Sequence, residues 1–178
     1  MRVIAGSLGG RTFDSPRGHR THPMSDKIRG ALFNILGDIE GMSILDAFAG
    51  SGALSIEAIS RGASSALAID LDKEAYETIQ KNVQALNLQE QITVMRKNIA
   101  GWSRNNQHML FDIVIADPPY NDFRPVLLQK LISQVKPGGL FVLSWPGREP
   151  IRAFNGAEVL TAKSYGDAQL IFYRRAVA

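Results

Sequence analysis

Ile44-Leu45-Asp46-Ala47-Phe48-Ala49-Gly50-Ser51-Gly52-Ala53-Leu54 leads from a short apolar run through two closely spaced glycines into a helical pattern. Glycine lets the backbone adopt a tight turn and come close to a ligand, and the amino end of the following helix offers unpaired amide donors. Such a strand-turn-helix is the outline of a nucleotide-cofactor site. A dinucleotide fingerprint would place a third small residue, Gly or Ala, three positions after Gly52, where this chain has Ser55, so a pyrophosphate ligand is not favoured. Asp46 points the same way, because a carboxylate beside a pyrophosphate repels it. S-adenosylmethionine has no phosphate and carries an ammonium and a sulfonium, which Asp46 suits directly or through water.

On either side of this stretch, short apolar runs alternate with amphipathic segments, a βαβα rhythm that predicts an α/β fold with a mainly parallel sheet and helices on both faces. The strands are expected at 43–47, 66–70, 92–96, 112–117, 140–144, 159–162 and 169–173. The clearest helix carries Ala75, Ile79, Val83 and Leu86 at helical spacing, with Asp72 placed to cap it. Further helices are expected at 53–61 and 125–134, the second entered at Pro125 and left through Lys136-Pro137-Gly138-Gly139. The last two strands have no room for a helix between them and should pair antiparallel.

Open parallel sheets bind ligands beyond the carboxyl ends of their strands, and polar residues stand there in this chain. Asp70 ends the second strand, where an acid can accept from both hydroxyls of a ribose. Asn98, with the amide of Ile99 beside it, can pair with the amino edge of an adenine. After Ile113-Val114-Ile115-Ala116 come Asp117, Pro118, Pro119 and Tyr120. Two prolines remove two donors and stiffen a turn, which aims the Asp117 carboxylate and nearby carbonyls in fixed directions. The exocyclic amine of a nucleobase is a poor nucleophile because its lone pair is delocalised. Acceptors at Asp117 and the Pro118 carbonyl would localise that lone pair, and Tyr120 offers a face on which the base can stack. A sulfonium methyl is already activated, so positioning and electrostatics suffice and no metal is expected.

The chain has 178 residues, 45% hydrophobic and 21% charged, which fits one globular domain, 1–178. It contains no cysteine, which removes disulfides and thiolate chemistry, and no apolar run approaches the roughly 20 residues of a membrane helix. A cytoplasmic monomer without membrane contact is expected. Charge is uneven. Residues 1–37 hold Arg2, Arg11, Arg17, Arg20, Lys27 and Arg29 against Asp14 and Asp26, a net +4 in a chain whose total is +3. This basic segment, 1–40, reads as a hairpin at 1–13 around Gly9-Gly10, a loop and a helix from 25 to about 36, appended to a core at 41–178. It is what contact with a phosphate backbone needs. Trp102 and Trp145 read as packing residues, and His19 and His22 as surface or RNA-contacting groups.

Three segments together resemble one family: DAFAGSGALSIEAISRGA (46–63), DPPY (117–120) and THPMSDKIRGALFNIL (21–36) are similar to the RsmD-type 16S ribosomal RNA guanine-N2 methyltransferases. The resemblance implies a Rossmann-like class I methyltransferase fold with a seven-stranded sheet and an antiparallel terminal hairpin. It also implies S-adenosylmethionine as cofactor, and ribosomal RNA or the small ribosomal subunit as partner. It marks Asp46, Phe48, Gly50, Gly52, Asp70, Leu71, Asn98 and Ile99 for the cofactor and Asp117, Pro118, Pro119 and Tyr120 for catalysis. Arg11, Arg17, Arg20, His22, Lys27 and Arg29 are expected to face RNA. The family's Arg-Pro-Thr and Arg-Glu are replaced by His22-Pro23-Met24 and Arg29-Gly30. A DNA adenine-N6 or cytosine-N4 methyltransferase shares this chemistry but usually carries a separate recognition domain. A protein glutamine methyltransferase would read NPPY, and a non-catalytic RNA-binding module would have no need of Asp117.

Overall fold

Buried parallel strands show up in sequence as apolar runs because neither face meets water, and the computed structural model, which describes residues 1–17, 24–122 and 124–177, bears out all seven runs as strands. The chain forms two compact units, Met1–Ile99 and Ala100–Ala178.

In the first unit, an antiparallel bridge joins Arg2 and Thr12, and Val3 and Gly10 close it through their amides (Val3 N to Arg11 O, 2.8 Å; Gly10 N to Val3 O, 2.8 Å). The expected hairpin is therefore present, reduced to one bridge. Helix α1 (Asp26–Leu36) starts where Ser25 Oγ accepts from Ile28 N, and it buries Leu32 and Phe33. Strand β1 (Ser43–Asp46), helix α2 (Ala53–Ser60), strand β2 (Ser65–Asp70), helix α3 (Lys73–Ala85) and strand β3 (Ile92–Arg96) follow. β1 and β3 each run parallel to β2, giving the order β3-β2-β1. α3 is capped by Asp72, whose carboxylate accepts from Ala75 N at 2.9 Å.

The second unit takes in most of helix α4 (Ile99–Asn105), then strand β4 (Phe111–Ala116), helix α5 (Pro125–Ser133) and strands β5 (Val135–Pro146), β6 (Ala157–Tyr165) and β7 (Ala168–Arg175). Its strand order is β4-β5-β7-β6, with β4 and β5 parallel and both β7 pairings antiparallel. Tyr165 pairs with Ala168 across Gly166-Asp167, a two-residue hairpin loop with Gly166 at φ +63°. All seven strands belong to one mixed sheet, with antiparallel pairings at its β5-β7-β6 end. Among the described residues no helix is long and apolar enough to cross a membrane.

One expectation needs correction, and one element was missed. The exit from α5 is not a loop at 136–139, since β5 begins at Val135 and absorbs Pro137-Gly138-Gly139 through a register shift opposite Phe111 and Ile113. A Cβ at Gly139 would lie 2.6 Å from Asp112 O, so the strands approach there only because the side chain is missing. Helix α4 was not anticipated. Its seven residues include Gly101 and are too few to show a period.

What ties the basic amino-terminal segment down is an acid inside α2, a helix buried along its whole length. Glu57 is fully buried, and its carboxylate accepts from Ile4 N (2.9 Å), Ala5 N (3.1 Å) and Arg61 Nε (2.9 Å), with Arg29 Nε 3.5 Å away. One turn on, Ser60 donates to Ala5 O and accepts from Leu8 N. Gly6 fits only without a Cβ, which would fall 1.9 Å from Ser60 O. Removing one partner from a buried charge network costs about 3–5 kcal/mol because the other charge is left uncompensated. Glu57→Ala should therefore lower the unfolding free energy by about that much in a urea titration. A loss under about 1 kcal/mol would show that the network does not hold the segment.

Candidate active site

In the first unit, β1 ends at Asp46 and the chain crosses to α2 through 47–52, with Gly50 at φ +57° and Gly52 at φ +79°. A side chain at Gly52 would press on Ile79 Cγ2 at 3.0 Å, so the second glycine is required by packing against α3 as well as by its backbone angle. The turn is anchored to the end of β2, where Ala49 N donates to Ile69 O (2.9 Å) and Gly50 N to Asp70 Oδ2 (2.8 Å). The other oxygen of Asp70 accepts from Asp72 N at 2.9 Å. One carboxylate thus sets two successive strand-end turns, and since each carboxylate oxygen has two lone pairs, both can still accept from a ligand.

Asp46 is buried, and Oδ2 accepts from Ser55 Oγ at 2.8 Å. Ser55, which breaks the dinucleotide fingerprint, is thereby explained: its hydroxyl locks the acid behind the turn. Leu71 is 61% exposed, a large apolar side chain left open just past Asp70, and Phe48 is half-buried in the turn. Asn98 is exposed between β3 and α4, and Ile99 is buried. The eight residues expected to serve the cofactor thus all lie on the turn after β1 or beyond the carboxyl ends of β2 and β3, or, for Asp46 and Asp70, on the last residues of β1 and β2 themselves.

In the second unit, β4 runs into Asp117, Pro118, Pro119 and Tyr120. Ala116 pairs with Leu143, which sets Asp117 alongside Ser144 of β5. Ser144 is buried and makes two contacts: its Oγ lies 2.9 Å from Tyr120 Oη, and its hydroxyl is hydrogen-bonded to the Asp117 carboxylate. Burial pushes the Asp117 carboxyl up to about 6, and the Ser144 hydrogen bond offsets part of that rise. The Tyr120 hydroxyl is also shifted upward, first by burial, against the Ser144 bond and with a contribution from the neighbouring Asp117 charge. Tyr120 as a whole nevertheless keeps 42% of its surface exposed. Pro118 is buried, and the Pro119 carbonyl accepts from Asp122 N at 3.1 Å, closing the turn.

Of the residues expected to face RNA, Arg11, Arg17 and Lys27 are exposed, while Arg20 and His22, like His19, lie outside the described residues. Arg29 is a correction. It is fully buried, donates to Arg2 O, and pairs with Asp26 (3.1 Å) and Glu57, so it serves the fold and is not presented to a ligand. Trp102 and Trp145 are buried, as expected of packing residues. Ser144 and Glu57 were missed. Each had a signal, a single polar residue inside an apolar run (Leu140-Phe141-Val142-Leu143-Ser144-Trp145 and Ile56-Glu57-Ala58-Ile59). Among the described residues no cluster of three His, Asp or Glu could hold a metal ion.

The mixed seven-stranded sheet with its terminal antiparallel hairpin is the Rossmann-like methyltransferase fold. The structure matches "Putative methyltransferase yhhF from Escherichia coli" with a TM-score of 0.89 at 27% identity, over 100% of this chain and 99% of the other. Residues 1–174 match the family model "Conserved hypothetical protein 95", and the chain belongs to that family. The chain is similar to the "Putative rRNA methyltransferase YlbH" of Bacillus subtilis (strain 168), 32% identical over 98% of this chain and 99% of the relative. The "Ribosomal RNA small subunit methyltransferase D" of Escherichia coli (strain K12) is 34% identical over 78% of this chain and 68% of that protein. The RsmD-type resemblance read from the three motifs is borne out.

A carboxyl group with a raised folded-state value holds its proton more readily in the folded than in the unfolded protein, so its stabilising contribution is present below about pH 4 and lost as pH rises through about 6. Asp117→Asn, which never ionises, should gain stability relative to the parent protein between pH 4 and pH 8, by up to about 3 kcal/mol. Denaturant melts at the two pH values measure this, and a difference that does not change with pH would contradict the desolvated environment of Asp117.

Proposed function

We propose that this protein transfers the methyl group of S-adenosylmethionine to the N2 amine of a guanine in small-subunit ribosomal RNA. The observation that carries the reading is the Asp117-Pro118-Pro119-Tyr120 turn, held by Ser144, at the end of β4 in a chain whose relatives are named rRNA methyltransferases.

The donor chemistry of the first unit fits this cofactor. Asp46, just before the glycine turn, would repel a pyrophosphate but suits an ammonium, and Asp70 suits a ribose. Asp70 would accept from the ribose hydroxyls with the lone pairs its two amide bonds leave over. Leu71 would cover a face of the adenine, Asn98 and the Ile99 amide would meet its edge, and Phe48 would line the turn. Asp46, buried behind Ser55, would act on the ammonium through the turn or a water. When bound, the cofactor supplies a methyl group already activated by its sulfonium.

The second unit supplies the acceptor side. An ionised Asp117, together with the Pro118 carbonyl, would take the two amine hydrogens and localise the nitrogen lone pair, and the exposed Tyr120 ring would stack on the base. A carboxylate whose value lies near 6 is largely ionised at neutral pH yet basic enough to accept the proton the methylated amine gives up. Arg11, Arg17 and Lys27, with Arg20 and His22 of the same segment, would contact the RNA backbone.

Incubation with methyl-labelled S-adenosylmethionine and small subunits, free ribosomal RNA or DNA, followed by nucleoside digestion, tests the reading. The expected product is N2-methylguanosine from ribosomal RNA. Label in N6-methyladenine would overturn the guanine assignment, and label in DNA alone would overturn the RNA one.

A further inference from the structure

Ser144 stands outside every residue that the motifs mark, yet it joins the two parts of the turn that act on the acceptor. Its hydroxyl has one proton to give and an oxygen that accepts. The Asp117 carboxylate, when ionised, can only accept, and the Tyr120 hydroxyl can donate. Only one arrangement satisfies all three with Asp117 charged: Tyr120 Oη donates to Ser144 Oγ, and Ser144 Oγ donates to Asp117. Ser144 is buried on β5, between Leu143 and Trp145, and its strand register is fixed on both sides, Leu143 opposite Ala116 and Ser144 opposite Leu170. The hydroxyl therefore has a defined place and does not wander with the turn.

We propose that Ser144 is a positioning residue for methyl transfer, whose single hydroxyl aligns the Asp117 carboxylate and the Tyr120 ring as one unit facing the target base. The inference rests on the function proposed above. The chain occupies one lone pair of Asp117 and leaves the rest for the amine. It also fixes the phenol end of Tyr120, so the ring meets the base in one orientation and less ordering remains to be done on binding. Besides burial, Ser144 is the group that moves the ionisation of Asp117, and it moves it downward. Tyr120, the neighbouring titratable group, is neutral at pH 6, since its own value is raised from an ordinary one near 10. Loss of the Ser144 hydroxyl should therefore shift the acid limb of kcat/KM to higher pH, because transfer needs Asp117 ionised and activity falls as pH drops through its value.

The experiment compares the parent protein with Ser144→Ala and Ser144→Thr on the RNA substrate found for the parent, across pH 5 to 9. Thermal melting and cofactor affinity are measured on each variant. Ser144→Ala should reduce kcat about tenfold or more, move the acid limb upward and leave cofactor affinity within about twofold, while Ser144→Thr, which keeps a hydroxyl, should recover most of the loss. Tyr120→Phe in the Ser144→Ala background should cost less than in the parent, since the hydrogen bond it removes is already gone. An alanine variant that folds, binds cofactor and keeps the parent's rate and pH profile would overturn the proposal. A threonine variant that binds cofactor normally but is no better than alanine would do the same. An inactive parent protein on every RNA offered would instead overturn the function reading itself.

Discussion

A strand buried on both faces can hold a polar side chain cheaply only where it ends, and each acid placed there needs a donor of its own. Asp46, Asp70 and Asp117 stand at or just past the carboxyl ends of β1, β2 and β4, and each is met by donors: Ser55 at the first, the Gly50 and Asp72 amides at the second, Ser144 at the third. The donors differ in kind, and so do the consequences. Backbone amides leave Asp70 at the rim of its turn, half-exposed and open to a ligand. A single hydroxyl leaves Asp117 poorly solvated, which pushes its carboxyl up to about 6.

The same need for partners shapes the amino-terminal segment. Glu57 sits in a helix with no exposed residue, so its charge is neutralised by what packs over it: two amides of residues 4 and 5, Arg61, and Arg29 from α1. A basic stretch that would otherwise be a solvated tail becomes a folded part of the first unit. Arg61 also lies over the Phe33 ring, 5.4 Å from its centre, adding a cation–π contact between α1 and the end of α2. Since Gly52 is the amino-terminal cap of α2, the acid that docks this segment and the turn assigned to the cofactor lie five residues apart at one helix.

Much of this was legible in the sequence because its physics is local. The glycine turn, the Asp72 cap and the apolar runs each declare themselves within a few residues, and β3 and the start of α5 fell where periodicity and Pro125 put them. What was not legible depends on distant partners. Arg29 reads as one more cation of a basic segment until Glu57, 28 positions later, is seen beside it. Ser144 looks like a polar end to an apolar strand until the register sets it next to Asp117 and Tyr120. Gly138-Gly139 signals a turn to any local rule, yet the close approach of Asp112 makes it part of a strand.

The central claim is a division of labour, in which Asp70 serves the cofactor and Asp117 serves the amine. Cofactor affinity by calorimetry and single-turnover transfer at saturating cofactor, measured side by side on Asp70→Ala and Asp117→Ala, test it most directly. Asp70→Ala should weaken cofactor binding at least tenfold while transfer is restored in large part at saturation. Asp117→Ala should bind cofactor like the parent and transfer no methyl. Unchanged affinity in Asp70→Ala, or an unchanged transfer rate in Asp117→Ala, would contradict the division.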